Sequence, residues 1–210
     1  MKVNIPQKNQ TKIIVTILIV AILIVLLLVL GERLFIIDNR ITDNERFYTE
    51  YTSVSIDNVY KYVSIEQAIK LFDEEKAIIF FGFKECKWCQ SYVPILNDVA
   101  KANKVEQVYY CNIKEDRANN TEKYKTLVNI IKDYLYDDDN GNKRIYVPDV
   151  YFVKGGNIIG HNNDTSMIEG ADTEEYYTND ARKNLEQKLD KLTKEVYSDS
   201  NACSDDKRGC

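Results

Sequence analysis

The chain reads as an α/β domain, a mixed central sheet with helices on both faces, preceded by one N-terminal transmembrane helix. Three observations predict this. Residues 13–30 form a long run that is apolar but for Thr16. A short apolar run at 77–83 and a second strand-like run at 105–113 alternate with stretches of helical period, and a hairpin and a helix close the pattern. Cys86 and Cys89 stand between the first of those short runs and the helix that follows it.

The whole chain bounds the reading. Its 210 residues hold one ordinary domain with attachments. A net charge of −5 and the lack of a long basic stripe exclude a nucleic-acid binder. Five cysteines and one histidine leave little for a metal. A zinc site would need a second Cys pair near the first, and Cys203 and Cys210 lie far off in a polar tail. No metal and no cofactor are expected.

Within the run at 13–30 only Thr16 is polar. As a helix it would span about 27 Å, close to the hydrocarbon thickness of a bilayer. Lys2, Lys8 and Lys12 precede it without an acid among them, and Glu32, Arg33, Asp38 and Arg40 follow with mixed sign. That bias puts residues 1–12 inside and the rest outside. The competing reading is a signal peptide cleaved near Val29-Leu30-Gly31, but the apolar run exceeds the usual signal-peptide core. Either reading exports the domain. No Cys follows the run closely, so a lipoprotein anchor is not indicated.

Residues 31–53 are charged and polar and read as a stalk, with room for one short helix. Residues 54–63 alternate loosely, as a first strand would. Ser64 and Gln67 match a capping box, followed by Ile65, Ala68, Ile69 and Phe72 at helical spacing. The run at 77–83 reads as a strand buried on both faces. A helix then extends to Ala102, with Val93, Leu96, Val99 and Ala100 inward and Pro94 kinking it. A second buried strand follows at 105–113. Tyr124, Leu127, Val128, Ile131, Tyr134 and Leu135 form a helix stripe. Asp137, Asp138 and Asp139 read as its solvated exit. Residues 145–153 are a strand region broken by Pro148, Gly155-Gly156 is a hairpin turn, and 157–160 is the return strand. Asp172 with Glu175 can open the last helix, whose buried stripe is Ala181, Leu185, Leu189, Leu192 and Val196. His161 reads as a surface loop residue and Cys111 as a small core residue.

The chemistry falls on Cys86 and Cys89. A cysteine at a helix N-terminus meets unpaired N–H groups and the positive end of the dipole, which favour a thiolate. Two intervening residues let Cys89 reach Cys86 within one turn. Lys87 adds positive charge, and Trp88 offers an aromatic surface to a partner chain. The bland alternative is an inert buried pair or half a zinc site. The strand-CxxC-helix context favours redox chemistry.

These residues resemble the thioredoxin superfamily. The resemblance rests on the strand at 77–83, Cys86-Lys87-Trp88-Cys89, Pro94 five residues beyond the second Cys, Val147-Pro148, Gly155-Gly156, and Glu169-Gly170-Ala171. It looks most like the membrane-anchored bacterial group described as bacteriocin transport accessory proteins. The resemblance implies a thioredoxin-like fold over 54–196, a redox-active Cys86–Cys89 disulfide, and a cis Pro148 facing it, with Val147 and Pro148 binding substrate beside Trp88. From spacing alone, cis and trans are evenly matched. Three departures stand out. Lys-Trp replaces Gly-Pro between the cysteines. Phe80 occupies the position, six before Cys86, where many thioredoxins bury an acid. The connection from Ile113 to Pro148 is long.

The function expected is a membrane-anchored, extracytoplasmic thiol-disulfide oxidoreductase. It would act on exported proteins or peptides bearing Cys, with an unidentified redox partner and residues 13–30 in the membrane. The alternative is a non-catalytic accessory module that binds a secreted peptide or its transporter. In the tail at 197–210, Cys203 and Cys210 can bond to each other in an oxidising exterior, or form a second redox pair that exchanges with the first.

Overall fold

The computed structural model describes residues 12, 14–27, 41–163, 172–177 and 180–198. Two compact units divide at Thr42. In the first, residues 14–27 are helical and their apolar side chains are exposed, Ile17 by 61% and Leu27 by 68%. Among the described residues no helix is long and apolar enough to cross a membrane. Residue 13 and residues 28–30, which complete the apolar run, lie outside the described residues. So do the Glu169-Gly170-Ala171 stretch, Cys203 and Cys210.

The second unit is built on a five-stranded mixed sheet. Its strands are β1 (Tyr60–Tyr62), β2 (Lys76–Gly82), β3 (Val108–Asn112), β6 (Asp149–Lys154) and β7 (Asn157–Asn162). The spatial order is β1-β3-β2-β6-β7. The first three run parallel, while β6 and β7 are antiparallel to their neighbours. β2 is central, and six of its seven residues are buried. An apolar run with no polar face can be satisfied only between two layers of helices.

Alternation along β2 assigns its side chains to the two layers. Phe80 stacks on Tyr92 at 6.2 Å and on Tyr110 at 5.6 Å, on the face covered by α3 (Lys87–Ala102). Phe81 turns the other way and meets Tyr151 edge-on at 5.8 Å. Tyr151 in turn meets Phe72, at the end of α2 (Ile65–Leu71). α7 (Asp180–Tyr197) packs beside α3, and α5 (Glu122–Ile131) beside α2. The capping box of α2 forms as expected: Ser64 Oγ accepts from Gln67 N–H, and the Gln67 side chain accepts from Ser64 N–H.

The stalk reading at 31–53 needs correction. Asp43–Glu50 is a helix, here α1, and it is a packed part of the domain. Phe47 is fully buried, stacked on Tyr60 at 3.9 Å and on Tyr51 at 4.5 Å, and edge-on to Tyr110 at 5.1 Å. The packed unit therefore begins at Asp43 rather than at residue 54. The first strand is also shorter than 54–63. Only Tyr60–Tyr62 pair with β3, because Asn58 ties the preceding chain into turns through Ser55 O and Asn44 O.

The long connection before Pro148 is filled. After Lys114–Ala118 (α4), α5 and a short 3₁₀ turn, Tyr136–Asp137 (β4) and Lys143–Arg144 (β5) form a small hairpin. Asp138 is the hinge of its turn and not a solvated helix exit: its Oδ1 accepts from Asn140 and Asn142 N–H at 3.0 and 2.8 Å. The region read as one strand from 145 contains an ordered strand only from Asp149. The last long helix opens at Asp180, after the short α6 (Thr173–Tyr176).

α1 is expected to be indispensable to the core. Phe47→Ala should lower unfolding free energy by about 3–5 kcal/mol, as for other buried Phe truncations. Urea unfolding of the full-length chain followed by far-UV circular dichroism checks this.

Candidate functional site

The edge of β2 delivers the chain to the site. Gly82 ends the strand, and the turn closes with Cys86 N–H donating to Phe83 O at 3.1 Å. Cys86 is the N-cap of α3, in an extended conformation. Its Sγ accepts from Cys89 N–H at 3.1 Å, the bond that a Ser or Asp oxygen makes at an ordinary cap. Cys86 is half-buried and Cys89 fully buried, and both are free thiols.

Pro94 sits inside α3. It has no N–H for the carbonyl of Gln90, four residues back. Ser53 Oγ takes that place, donating to Gln90 O at 3.0 Å. Tyr60 OH donates to Val93 O at 2.8 Å, and Gln90 Nε2 donates to Glu50 O and Lys84 O. The segment once read as stalk thus braces the helix that carries the dithiol.

Val147-Pro148 faces the pair, and its peptide bond is cis. The Cys86 thiol donates to Val147 O at 3.6 Å. Trp88 is half-buried and meets Tyr176 and Tyr177 edge-on at 5.2 and 6.0 Å. The structure therefore brings Cys86, Cys89, Val147 and Pro148 together, with Trp88 on the flank toward α6. It places Lys87 on the surface.

The two thiols are electrostatically unequal. Cys86 is lowered from an ordinary thiol, first by a hydrogen bond from the Cys89 thiol, then by Cys89 N–H and the Arg117 guanidinium, against a desolvation that raises it. Burial pushes Cys89 well up, and the neighbouring Cys86 sulfur adds to the shift. Cys111 is buried in β3 and pushed up to about 12, as suits an inert core residue.

Arg117, from α4, was not anticipated from the sequence. Its guanidinium lies over the Phe83 ring at 4.8 Å and its Nη1 donates to Ile145 O at 3.1 Å. It is thus wedged between the turn that leads to Cys86 and the loop that leads to Pro148. Lys114 Nζ holds the same turn through Glu85 at 2.8 Å.

The reading of His161 as a surface loop residue is also corrected. It lies in β7, and its Nε2 is 2.6 Å from Asp149 Oδ1, which is buried. Tyr151 OH donates to the other carboxylate oxygen at 3.1 Å. Burial pushes Asp149 up to about 6 against the hydrogen bond of His161. This acid does not replace the one missing at Phe80. It pairs with Phe81 in register and shares the face of Tyr151, across the sheet from α3. On the dithiol face, Tyr51 OH donates to Tyr110 OH at 3.2 Å. Burial pushes both phenols upward, so both stay protonated.

No family model matches the chain, and no curated protein matches it. Among solved structures it is similar to thioredoxins. Oxidised thioredoxin from Plasmodium falciparum aligns at 15% identity and a TM-score of 0.35, over 61% of this chain and 96% of that one. Oxidised thioredoxin O1 from Arabidopsis thaliana aligns at 20% identity and a TM-score of 0.35, over 62% and 96%. At these values the likeness carries no argument of its own. The mixed sheet and the dithiol geometry stand on the residues described above.

Cys86 should alkylate first in the reduced protein, and at lower pH than an ordinary thiol of about 8.5. Arg117→Met keeps an apolar stem on Phe83 but removes the charge, so it should move the pH midpoint of Cys86 alkylation upward. Mass spectrometry of iodoacetamide-treated full-length protein across pH checks both.

Proposed function

We propose that the chain is a thiol-disulfide oxidoreductase, anchored in a membrane by residues 13–30, with the dithiol domain outside the cytoplasm. It acts on exported proteins or peptides bearing Cys, in the manner of the bacteriocin transport accessory group it resembles, and a separate redox partner resets it. The observation that carries this reading is the inequality of the pair. Cys86 caps a helix, is partly exposed, and lies 3.6 Å from the carbonyl before a cis proline, while Cys89 is wholly buried one turn in. The exposed apolar side chains of residues 14–27 support the anchor.

In the reductive direction, the Cys86 thiolate attacks one sulfur of a substrate disulfide. A Cys86–substrate bond forms, the substrate S–S bond breaks, and the other substrate sulfur leaves as a thiolate. Cys89 then attacks the Cys86 sulfur, forming the Cys86–Cys89 disulfide and releasing the second substrate thiolate. The Cys89 proton passes to a departing thiolate, since Phe80 offers no acid-base group. Oxidation of a substrate dithiol is the same sequence reversed. In this reading the backbone at Val147, whose carbonyl meets Cys86 Sγ, pairs with an extended substrate segment.

Cys89→Ser in the full-length chain should accumulate a mixed disulfide with substrate in cells, and Cys86→Ser should not. Protease added to intact cells should digest the complex. Trapping through Cys86→Ser alone would reverse the roles, and a complex digested only after lysis would invert the topology. Two folded variants that both fail to trap would favour the non-catalytic binding module.

A further inference from the structure

A groove of about 620 Å³ opens between α5 and the β4–β5 hairpin. Arg117, Lys125, Lys132, Lys143 and Arg144 line it, and Asp138 is the single carboxylate among its lining residues. Buried Tyr124 and half-buried Val128 give it an apolar side. Tyr124 OH is fixed there by accepting from Ile145 N–H at 3.2 Å.

Such a concentration of cations is out of keeping with a chain of net charge −5. Internal pairing neutralises it only in part. Lys125 meets Glu122 at 2.6 Å and Lys143 meets Asp137 at 3.2 Å. Lys132 and Arg144 have no ion pair among the described residues. Arg117 is half-buried; it contacts the Ile145 carbonyl and the Phe83 ring, and the anion it faces is the Cys86 thiolate. Asp138 accepts from the N–H groups of its own turn and offsets part of the charge of Arg144. Burial first, and then the nearby Arg144, hold the Arg117 guanidinium below its usual range. Like charges held together with one of them partly desolvated cost free energy, and a bound anion removes that cost.

Arg117 links the groove to the reaction centre. Arg117 touches both the Phe83 turn, whose carbonyl receives Cys86 N–H, and Ile145, two residues before the carbonyl that meets Cys86 Sγ. A peptide whose Cys reaches Cys86 can extend toward Arg117, at about 3.3 Å per extended residue. Guanidinium groups suit carboxylates, which they can bind with two parallel hydrogen bonds.

We infer that this groove binds an acidic segment flanking the reactive cysteine of the substrate, and that the enzyme selects disulfides in Asp- and Glu-rich peptides. This rests on the exchange reaction proposed above and names its substrate class. The groove contributes binding, not a covalent step.

The test compares two disulfide peptides that differ only in Glu against Gln beside the Cys, reduced by the full-length chain with dithiothreitol to regenerate the dithiol. The acidic peptide should have a higher kcat/KM by about fivefold to tenfold, the difference residing in KM. High salt should erase it, since the Debye length falls to about 3 Å at 1 M. The double variant Lys132→Glu, Arg144→Glu should bring the ratio to one or invert it, whereas Lys191→Glu on α7 should leave it. Equal kcat/KM for the two peptides, or a preference that survives the double reversal, overturns the inference. If neither peptide is reduced, the exchange reading fails by itself. Fluorescence anisotropy with a Cys-free acidic peptide then decides the groove: binding lost in the double variant supports it, and no binding by the unmodified chain overturns it.

Discussion

The hydrogen bond from Cys89 N–H to Cys86 Sγ is the contact on which the rest of the site depends. It makes a sulfur the N-cap of a helix, in place of the oxygen that usually serves. The same bond that starts the helix then stabilises the charge needed for attack. Its geometry is imposed from below. β2 is buried on both faces and cannot shift without moving two layers of aromatic packing, so the turn after Gly82 delivers Cys86 to one place. From above, α3 is fixed at its Pro94 gap by Ser53 and Tyr60, which satisfy carbonyls that the helix itself leaves open or bent.

The electrostatics of the pair follow from the same arrangement. Cys89 enters the core one turn after Cys86 and loses its water, so its proton is held. Cys86 stays at the rim, where N–H groups and Arg117 face it. The aromatic layer beneath Cys89 carries hydroxyls, and the Glu50 carboxylate borders it beside Tyr62 and Tyr110. The one buried acid near Pro148 lies across the sheet, bound to His161 and Tyr151. Two thiols three residues apart therefore differ in charge preference without a dedicated carboxylate to separate them.

Much of this was legible in the sequence, because it is carried by local signals. The apolar run of β2, the Ser64–Gln67 capping box, the CxxC at a strand-to-helix junction and Pro94 in α3 each have a short-range physical cause. What was missed depends on tertiary contact. Arg117 sits in Lys-Glu-Asp-Arg, which reads as a solvated charged turn; only the fold places Phe83 beneath its guanidinium. His161 follows an apolar strand start and looked like a loop, because its partner Asp149 is on the neighbouring strand. Phe47 and Tyr51 did carry a signal, two aromatics four residues apart after Asp43, but the charged residues around them outweighed it. Asp138 looked like one of three solvated acids, and nothing local marked it as the one that organises a turn.

The central claim is that Cys86 and Cys89 form a working redox couple. The most direct measurement is the equilibrium of the full-length chain with glutathione buffers of graded ratio, the fraction oxidised being read by mass spectrometry after acid quenching. The account predicts a single two-electron transition confined to Cys86 and Cys89, with a potential between about −270 and −120 mV. A pair that never forms a disulfide under oxidising buffer, or that stays oxidised until far below about −300 mV like a structural bridge, would contradict it.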